Sequence, residues 1–388
     1  MIILDKPYVS DFLIDTICKN QIPVLKTSLS KTLFSEKETT LLSDDEAVKL
    51  VNNQKIVYTN SENAIAWISK NLSKTELPKQ IELFKNKGKF RTLVSKMFPS
   101  FYYKKVAYKN LKDIDLDSLP IPFVVKPNVG FFSLGVHIVK TLDEWHTVLE
   151  ALAIEIQSAN AIYPLEVMNA TEFIIETFIE GEEYAIDCYF NSEGKPVILN
   201  VMEHQFSSNA DVSDRLYFTS TTLIKKLKPK ILEFLIQLNT LAGLTNFPLH
   251  IEIRINKGKI IPIEGNPMRF GGWCTTADLA YHAFGFNPYL YFFEQKEPNW
   301  DVIIERQDDS FYSVIILNNA TEYSASQIES FDYNKLKNSF EKTLELRKVD
   351  YHKFPIFGFL FTKTSKNNFK ELATILGSDL KDFIIVSS

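Results

Sequence analysis

Cysteine is scarce in this chain. There are three in 388 residues, Cys18, Cys188 and Cys274, far apart and without a Cys-x-x-Cys pair. That argues against a disulfide framework or a zinc knuckle and points to a reducing, cytoplasmic setting. Long hydrophobic runs are missing as well. No stretch reaches the roughly 18 apolar residues that a membrane-spanning helix needs, and Met1–Lys6 lacks the basic-then-apolar pattern of a secretory signal. No membrane partner is therefore expected. Basic charge is not in excess: 43 Lys and Arg face 48 Asp and Glu, for a net charge of −5. A generally cationic surface is excluded, and nucleic acid is not expected as a partner. Glycine is sparse, at 13 residues, so its clusters are informative. No Ser/His/Asp or Cys/His set for nucleophilic catalysis stands out.

What is present is ordinary globular material, 45% hydrophobic and 13% aromatic, enough for large cores. The length predicts two or three domains at roughly 150 residues each. Residues 1–84 alternate short apolar runs (Ile2–Leu4, Pro23–Leu25, Ile56–Tyr58) with helical stripes. One helix is read from an N-cap at Asp44, and the whole suits a small parallel α/β unit. No Gly-x-Gly-x-x-Gly follows the first strand. Residues 85–295 are dense in motifs and read as a second, α+β domain. Residues 296–388 carry strand patterns at 312–317, 342–347 and 355–362 and a helix at 367–376, read as a C-terminal α/β appendage.

Three segments of the middle region suggest chemistry. Phe123–Pro127 is a strand carrying Lys126. It leads into Asn128–Gly135, where Gly130, Ser133 and Gly135 suit a loop whose amides fold over a triphosphate while Lys126 adds a point charge. Taken alone, a surface hairpin explains this segment better. Next, Glu172–Asp187 is a strand, an acidic turn and a strand. Glu176 and Glu183 stand at its ends. A carboxylate suits a ribose diol, and the backbone of Thr177, Phe178 and Ile179 suits an adenine edge. A solvated acidic turn is the bland alternative.

Third, His250, Glu252 and Arg254 alternate along Leu249–Ile255, so they share one face. After Asn256–Lys259 comes Ile260–Gly272, with Glu264 and Asn266. A three-residue loop with left-handed Gly258 pairs Ile255 with Lys259 and puts Glu264 and Asn266 on the face of Glu252. A two-residue loop puts them on the other face. The functional reading therefore predicts the three-residue, bulged loop. Two carboxylates and an amide oxygen are hard ligands suited to Mg²⁺, with Mn²⁺ as the alternative.

In this order the motifs resemble the ATP-grasp superfamily over roughly residues 85–295. The resemblance implies an ATP-grasp fold, ATP and Mg²⁺ as cofactors, and a carboxylate–amine ligase that passes through an acyl-phosphate and releases ADP. Lys126 would hold phosphates and Gly130–Gly135 would close over ATP. Glu176–Ile179 would form the adenine hinge, Glu183 would take the ribose, and Glu252, Glu264 and Asn266 would hold the metal. An early basic residue, Lys87, Lys89 or Arg91, would reach the nucleotide. Arg269 would steady the acyl-phosphate. Here the usual Asn-Pro-Arg is Asn-Pro-Met-Arg, which makes Arg254 a rival for that role.

His204, Arg215, Trp273 and Cys274 are candidate substrate contacts, each also explicable as packing or a solvated side chain. The implied partners are a small-molecule carboxylate and an amine, with amino acids or a peptide among the candidates; a homodimer stays open. The alternative reading is a nucleotide-binding regulatory or protein-modifying module with little turnover.

Overall fold

The structure is a computed structural model. It describes residues 1–130, 135–160, 169–208 and 213–386. The expected loop residue Ser133 lies outside these.

The N-terminal elements run β1 (Ile2–Ile3), α1 (Asp11–Asn20), β2 (Val24–Leu25), α2 (Ser28–Leu33), β3 (Leu41–Leu42), α3 (Asp44–Gln54), β4 (Tyr58–Thr59), α4 (Ile65–Asn71) and α5 (Leu77–Lys85). Their four strands are parallel, in the order β3-β2-β1-β4. Ser43, not Asp44, caps α3. The Ser43 side chain accepts from the Glu46 amide, and the Glu46 carboxylate accepts from the Ser43 amide. This is a reciprocal capping box that a Ser-x-x-Glu spacing encodes, and Asp44 instead sits in the first turn.

α6 (Lys87–Val94) leads to a four-stranded sheet of order β5-β8-β6-β7. Its strands are β5 (Tyr103–Ala107), β6 (Phe123–Val129), β7 (His137–Val139) and, after α7 (Trp145–Asn160), β8 (Asn169–Thr177). Phe123, Leu152 and Phe173 fill the layer between α7 and this sheet.

The chain then builds a second sheet from β9 (Glu182–Phe190), β10 (Pro196–Gln205) and β11 (Leu216–Thr219). After α8 (Thr221–Ala242) it adds the hairpin β12 (Phe247–Asn256) and β13 (Lys259–Pro267). Helices α9 (Thr275–Phe284), α10 (Pro288–Phe293) and α11 (Trp300–Arg306) follow. The C-terminal region contributes β14 (Phe311–Asn318), β15 (Ile328–Phe331), α12 (Tyr333–Asn338), β16 (Thr343–Lys348), β17 (Ile356–Thr364), α13 (Phe369–Leu376) and β18 (Ile384–Val386). β14 pairs antiparallel with β11, so the C-terminal strands extend the second sheet to eight, in the order β13-β12-β9-β10-β11-β14-β17-β16. One hydrophobic core runs from the N-terminal parallel sheet into this sheet. Among the described residues no helix is long and apolar enough to cross a membrane.

The β12–β13 hairpin corrects the expected loop. Asn256 pairs with Lys259, so the connection is the two-residue turn Lys257-Gly258. Both residues have positive φ, 47° and 77°, the requirement of a tight hairpin turn that follows the strand twist. Left alone, that register would face Glu264 away from Glu252. It is reset further along: Ile253 pairs with Pro262 and Glu252 with Glu264, so Ile263 is an extra residue, a β-bulge. The two glutamates share a face because of the bulge, not the loop.

Candidate active site: a cleft between two sheets

The two sheets face each other across a cleft. Its lining includes Lys87, Lys126, Glu183, His204, Glu252 and Glu264. Strand register arranges the floor in rungs. Glu183 lies beside Arg254, Ala185 separates Glu252 from β10, and Asp187 lies beside His250, which pairs in turn with Asn266.

One group of side chains surrounds Glu176. Its carboxylate receives Arg91 Nε at 2.7 Å, Arg91 Nη2 at 3.0 Å and Lys126 Nζ at 2.6 Å. All three residues are buried. Burial raises a carboxyl pKa, but Arg91 and Lys126 outweigh it and bring that of Glu176 down to about 2. Burial also pushes the Lys126 pKa down, against the pull of Glu176. The Arg91 guanidinium further donates to the carbonyls of Pro262 and Ile263 at the bulge and lies 4.5 Å from the Phe101 ring centroid. Glu176 is therefore the counter-ion of two cations, rather than a carboxylate open to a base.

The three early basic residues separate cleanly. Arg91 is this buried clamp. Lys89 points away to Glu82, at 3.0 Å and half exposed. Lys87 enters the cleft, where its Nζ meets Glu264 Oε2 at 3.0 Å and donates to the Gly130 carbonyl at 3.2 Å. Burial opposes ionisation of Glu264, but Lys87 and Lys126 hold its pKa below the usual value. Glu252 goes the other way: burial raises its pKa, the His250 hydrogen bond opposes this, and the Glu264 charge raises it further. His250 is clamped between Asp187 Oδ1, at 2.7 Å, and Glu252 Oε1, at 3.6 Å. Burial disfavours its charge, but these carboxylates bring its pKa up to about 9.

At the other end of the cleft, Glu183 accepts from Arg254 Nε at 2.9 Å and lies 2.9 Å from His204 Nδ1. Arg254 also donates to the Ile179 carbonyl and lies 5.1 Å from the Phe178 ring. It thus belongs with Glu183 and not with Glu264. Burial lowers the pKa of His204, yet its bond to Glu183 leaves it raised; its Nε2 faces the Ser213 carbonyl at 3.0 Å. The Phe178 amide is committed to Pro122 O at 3.1 Å. Gly181 closes the hinge with φ of 113°, where a Cβ would lie 2.3 Å from Ile255 O. Val136, Ile138, Phe178 and Phe206 give this end an apolar lining.

Other expected site residues lie elsewhere. Gly135 donates its amide to Glu155 Oε2 at 3.0 Å. Arg269 turns to Glu62, 2.8 Å from its Nη2. Arg215 is buried and ties β11 to the carbonyls of Ile375 and Ser378. Trp273 and Cys274 are buried: Trp273 packs on Tyr8, Phe354 and Phe359, and burial pushes the Cys274 thiol up to about 11. Asn266 is half-buried and lines a small side crevice with Glu62, Lys85, Lys87 and Glu264. Sequence reasoning missed Glu62 and Asp214, a half-buried acid that lines the cleft and accepts from Tyr217 Oη at 2.8 Å. No local pattern marks either one.

Two sheets enclosing a cleft, with opposed carboxylates on its floor, are the ATP-grasp arrangement. Residues 119–277 match the ATP-grasp domain family, so the chain carries an ATP-grasp domain. It is similar over its whole length to the crystal structure of an L-amino acid ligase from Bacillus licheniformis, with TM-score 0.70, 17% identity and 98% of that chain covered. The biotin carboxylase domain of a Hydrogenobacter thermophilus 2-oxoglutarate carboxylase, solved with MgADP, aligns with TM-score 0.64 and 11% identity, covering 100% of this chain and 90% of that one. At such identities the likeness is one of fold. The alanine–anticapsin ligases of Bacillus amyloliquefaciens and Bacillus subtilis are 24% identical over 170 residues, 41% of this chain. The match spans 35% of those relatives' length.

Proposed function

We propose that this chain is an ATP- and Mg²⁺-dependent ligase that joins a carboxylate to an amine and releases ADP and phosphate, with amino acids as the substrate class. The observation that carries this is the charge pattern at one end of the cleft. Glu252 and Glu264 oppose each other in register, and Lys87 and Lys126 are both close enough to depress Glu264. Two opposed carboxylates with the Asn266 amide nearby are hard oxygen donors that fit Mg²⁺, or Mn²⁺ in its place. Burial raises the Glu252 pKa and the Glu264 charge raises it further, and a bound cation would offset both. The metal would supply charge neutralisation for phosphoryl transfer.

The residues of the chain position and neutralise. Lys126 and Lys87 hold the phosphates, Glu183 takes the ribose hydroxyls, and Phe178, Phe206, Val136 and Ile138 wall the base. The substrate carboxylate oxygen bonds to the γ-phosphorus as the bond to the ADP oxygen breaks. The amine lone pair then displaces phosphate from the acyl carbon. No side-chain nucleophile is required. Amino acids as substrates are supported by the names of the relatives, two alanine–anticapsin ligases and an L-amino acid ligase.

The test is phosphate release from ATP and MgCl₂ with single amino acids and pairs, with mass analysis of the product. Release that needs both ATP and an amino acid is expected. Glu264→Gln should lower it by roughly a hundredfold or more; full activity in that variant removes the assignment.

A further inference from the structure

The N-terminal region closes one side of this catalytic end. Strand β1 lies between β2 and β4 in a parallel sheet, so the carboxyl ends of β1 and β4 flank a topological switch point. Ligand crevices in open α/β sheets form at such points. Here the turn after β13 docks there: the Thr59 amide donates to Met268 O at 2.8 Å, and Thr59 Oγ1 donates to the same oxygen at 3.3 Å. Three residues beyond Thr59 is Glu62. One of its oxygens accepts from Arg269 Nη2 at 2.8 Å, and the other faces Lys85 Nζ at 3.6 Å.

Lys85 and Lys87 flank Asn86, the N-cap of α6, so one helix junction supplies a cation to Glu62 and another to Glu264. Glu62, Lys85, Lys87, Glu264 and Asn266 line the same small crevice. Met268, with φ of 68° and a fully buried side chain, delays Arg269 by one residue in the Asn-Pro-Met-Arg turn. The Arg269 Nη1 donates to the carbonyl of its own neighbour, Phe270. An arginine displaced in this way needs a partner from elsewhere to fix its direction.

We propose that Glu62 is a positioning residue, supplied by the N-terminal region, that fixes the direction of Arg269, and that this arginine takes the carboxylate of an α-amino acid substrate. The substrate part rests on the ligase reading above. The positional part does not.

The test uses the full chain as wild type, Glu62→Gln and Glu62→Asp. Phenylglyoxal modifies guanidinium groups, and peptide mapping follows Arg269 against exposed Arg306. Loss of a charge-assisted hydrogen bond should speed modification of Arg269 roughly tenfold in Glu62→Gln. Glu62→Asp should partly restore protection, and Arg306 should not change. In steady state the KM for the amino acid should rise while the KM for ATP stays near wild type. Unchanged Arg269 reactivity in Glu62→Gln, or an equal rise in both KM values, overturns the proposal. A wild-type protein that binds ATP yet releases no phosphate with any amino acid sinks the ligase reading, and Arg269 reactivity still decides the role of Glu62.

Discussion

Glu176 is the place to test the electrostatics of the cleft. It is buried with Arg91 and Lys126 against it. Glu176→Gln keeps the shape and removes the charge, leaving two buried cations uncompensated. Breaking a buried ion pair on one side costs about 3–5 kcal/mol. The proton linkage gives an independent figure. The carboxyl titrates at about 2 in place of its ordinary 4.5, which at 1.36 kcal/mol per unit is about 3 kcal/mol at neutral pH.

The sign follows from the depressed folded-state value. Between about pH 4.5 and pH 2 the unfolded chain binds the proton and the folded chain does not. The contribution is therefore complete above 4.5 and disappears as pH falls towards 2. Guanidinium unfolding followed by circular dichroism at pH 7 should place the midpoint of Glu176→Gln well below wild type. The gap should narrow as the pH is lowered through that window. A variant within about 1 kcal/mol of wild type at pH 7, or a gap independent of pH, would refute the reasoning.

Further outcomes are expected. Gly181→Ala would put a Cβ 2.3 Å from Ile255 O at a φ of 113°; it should weaken binding of a fluorescent ATP analogue and lower stability by more than about 1 kcal/mol, and a silent substitution would contradict the hinge geometry. Arg215→Met should lower the thermal midpoint, because the carbonyls of Ile375 and Ser378 lose their donor, while the KM for ATP holds; a selective rise in that KM would return Arg215 to the cleft. Removing Ile263, the bulge residue, should turn Glu264 away from Glu252 and abolish phosphate release with Mg²⁺, whereas retained activity would show that the bulge is dispensable.

Much of the cleft could be read locally. Period-two alternation put His250, Glu252 and Arg254 on one face, and the glycine loop and acidic hinge stood in chain order with Lys126. The ion pairs could not be read in this way. Arg91 and Glu176 are 85 residues apart, and Glu62 and Arg269 are 207 apart. Nothing in either neighbourhood names the partner. The role expected for Arg254 shifted for the same reason, since its direction is set by Glu183 on the adjacent strand.

By itself the sequence determined which chemistry is present: scarce cysteine, no long apolar run, a lysine strand, and carboxylates on both strands of a hairpin. Such features depend on residue type and local periodicity, which survive without knowledge of the fold. Tertiary structure decided which of these groups meet. Whether Glu264 faces Glu252 turned on one extra residue at Ile263, because side chains alternate and a single step reverses every face. Which basic residue enters the cleft turned on the corner between α5 and α6, where Lys87 points to Glu264 and Lys89 to Glu82. Glycine, scarce in the composition, matters most where Gly181 and Gly258 allow backbone angles that other residues resist.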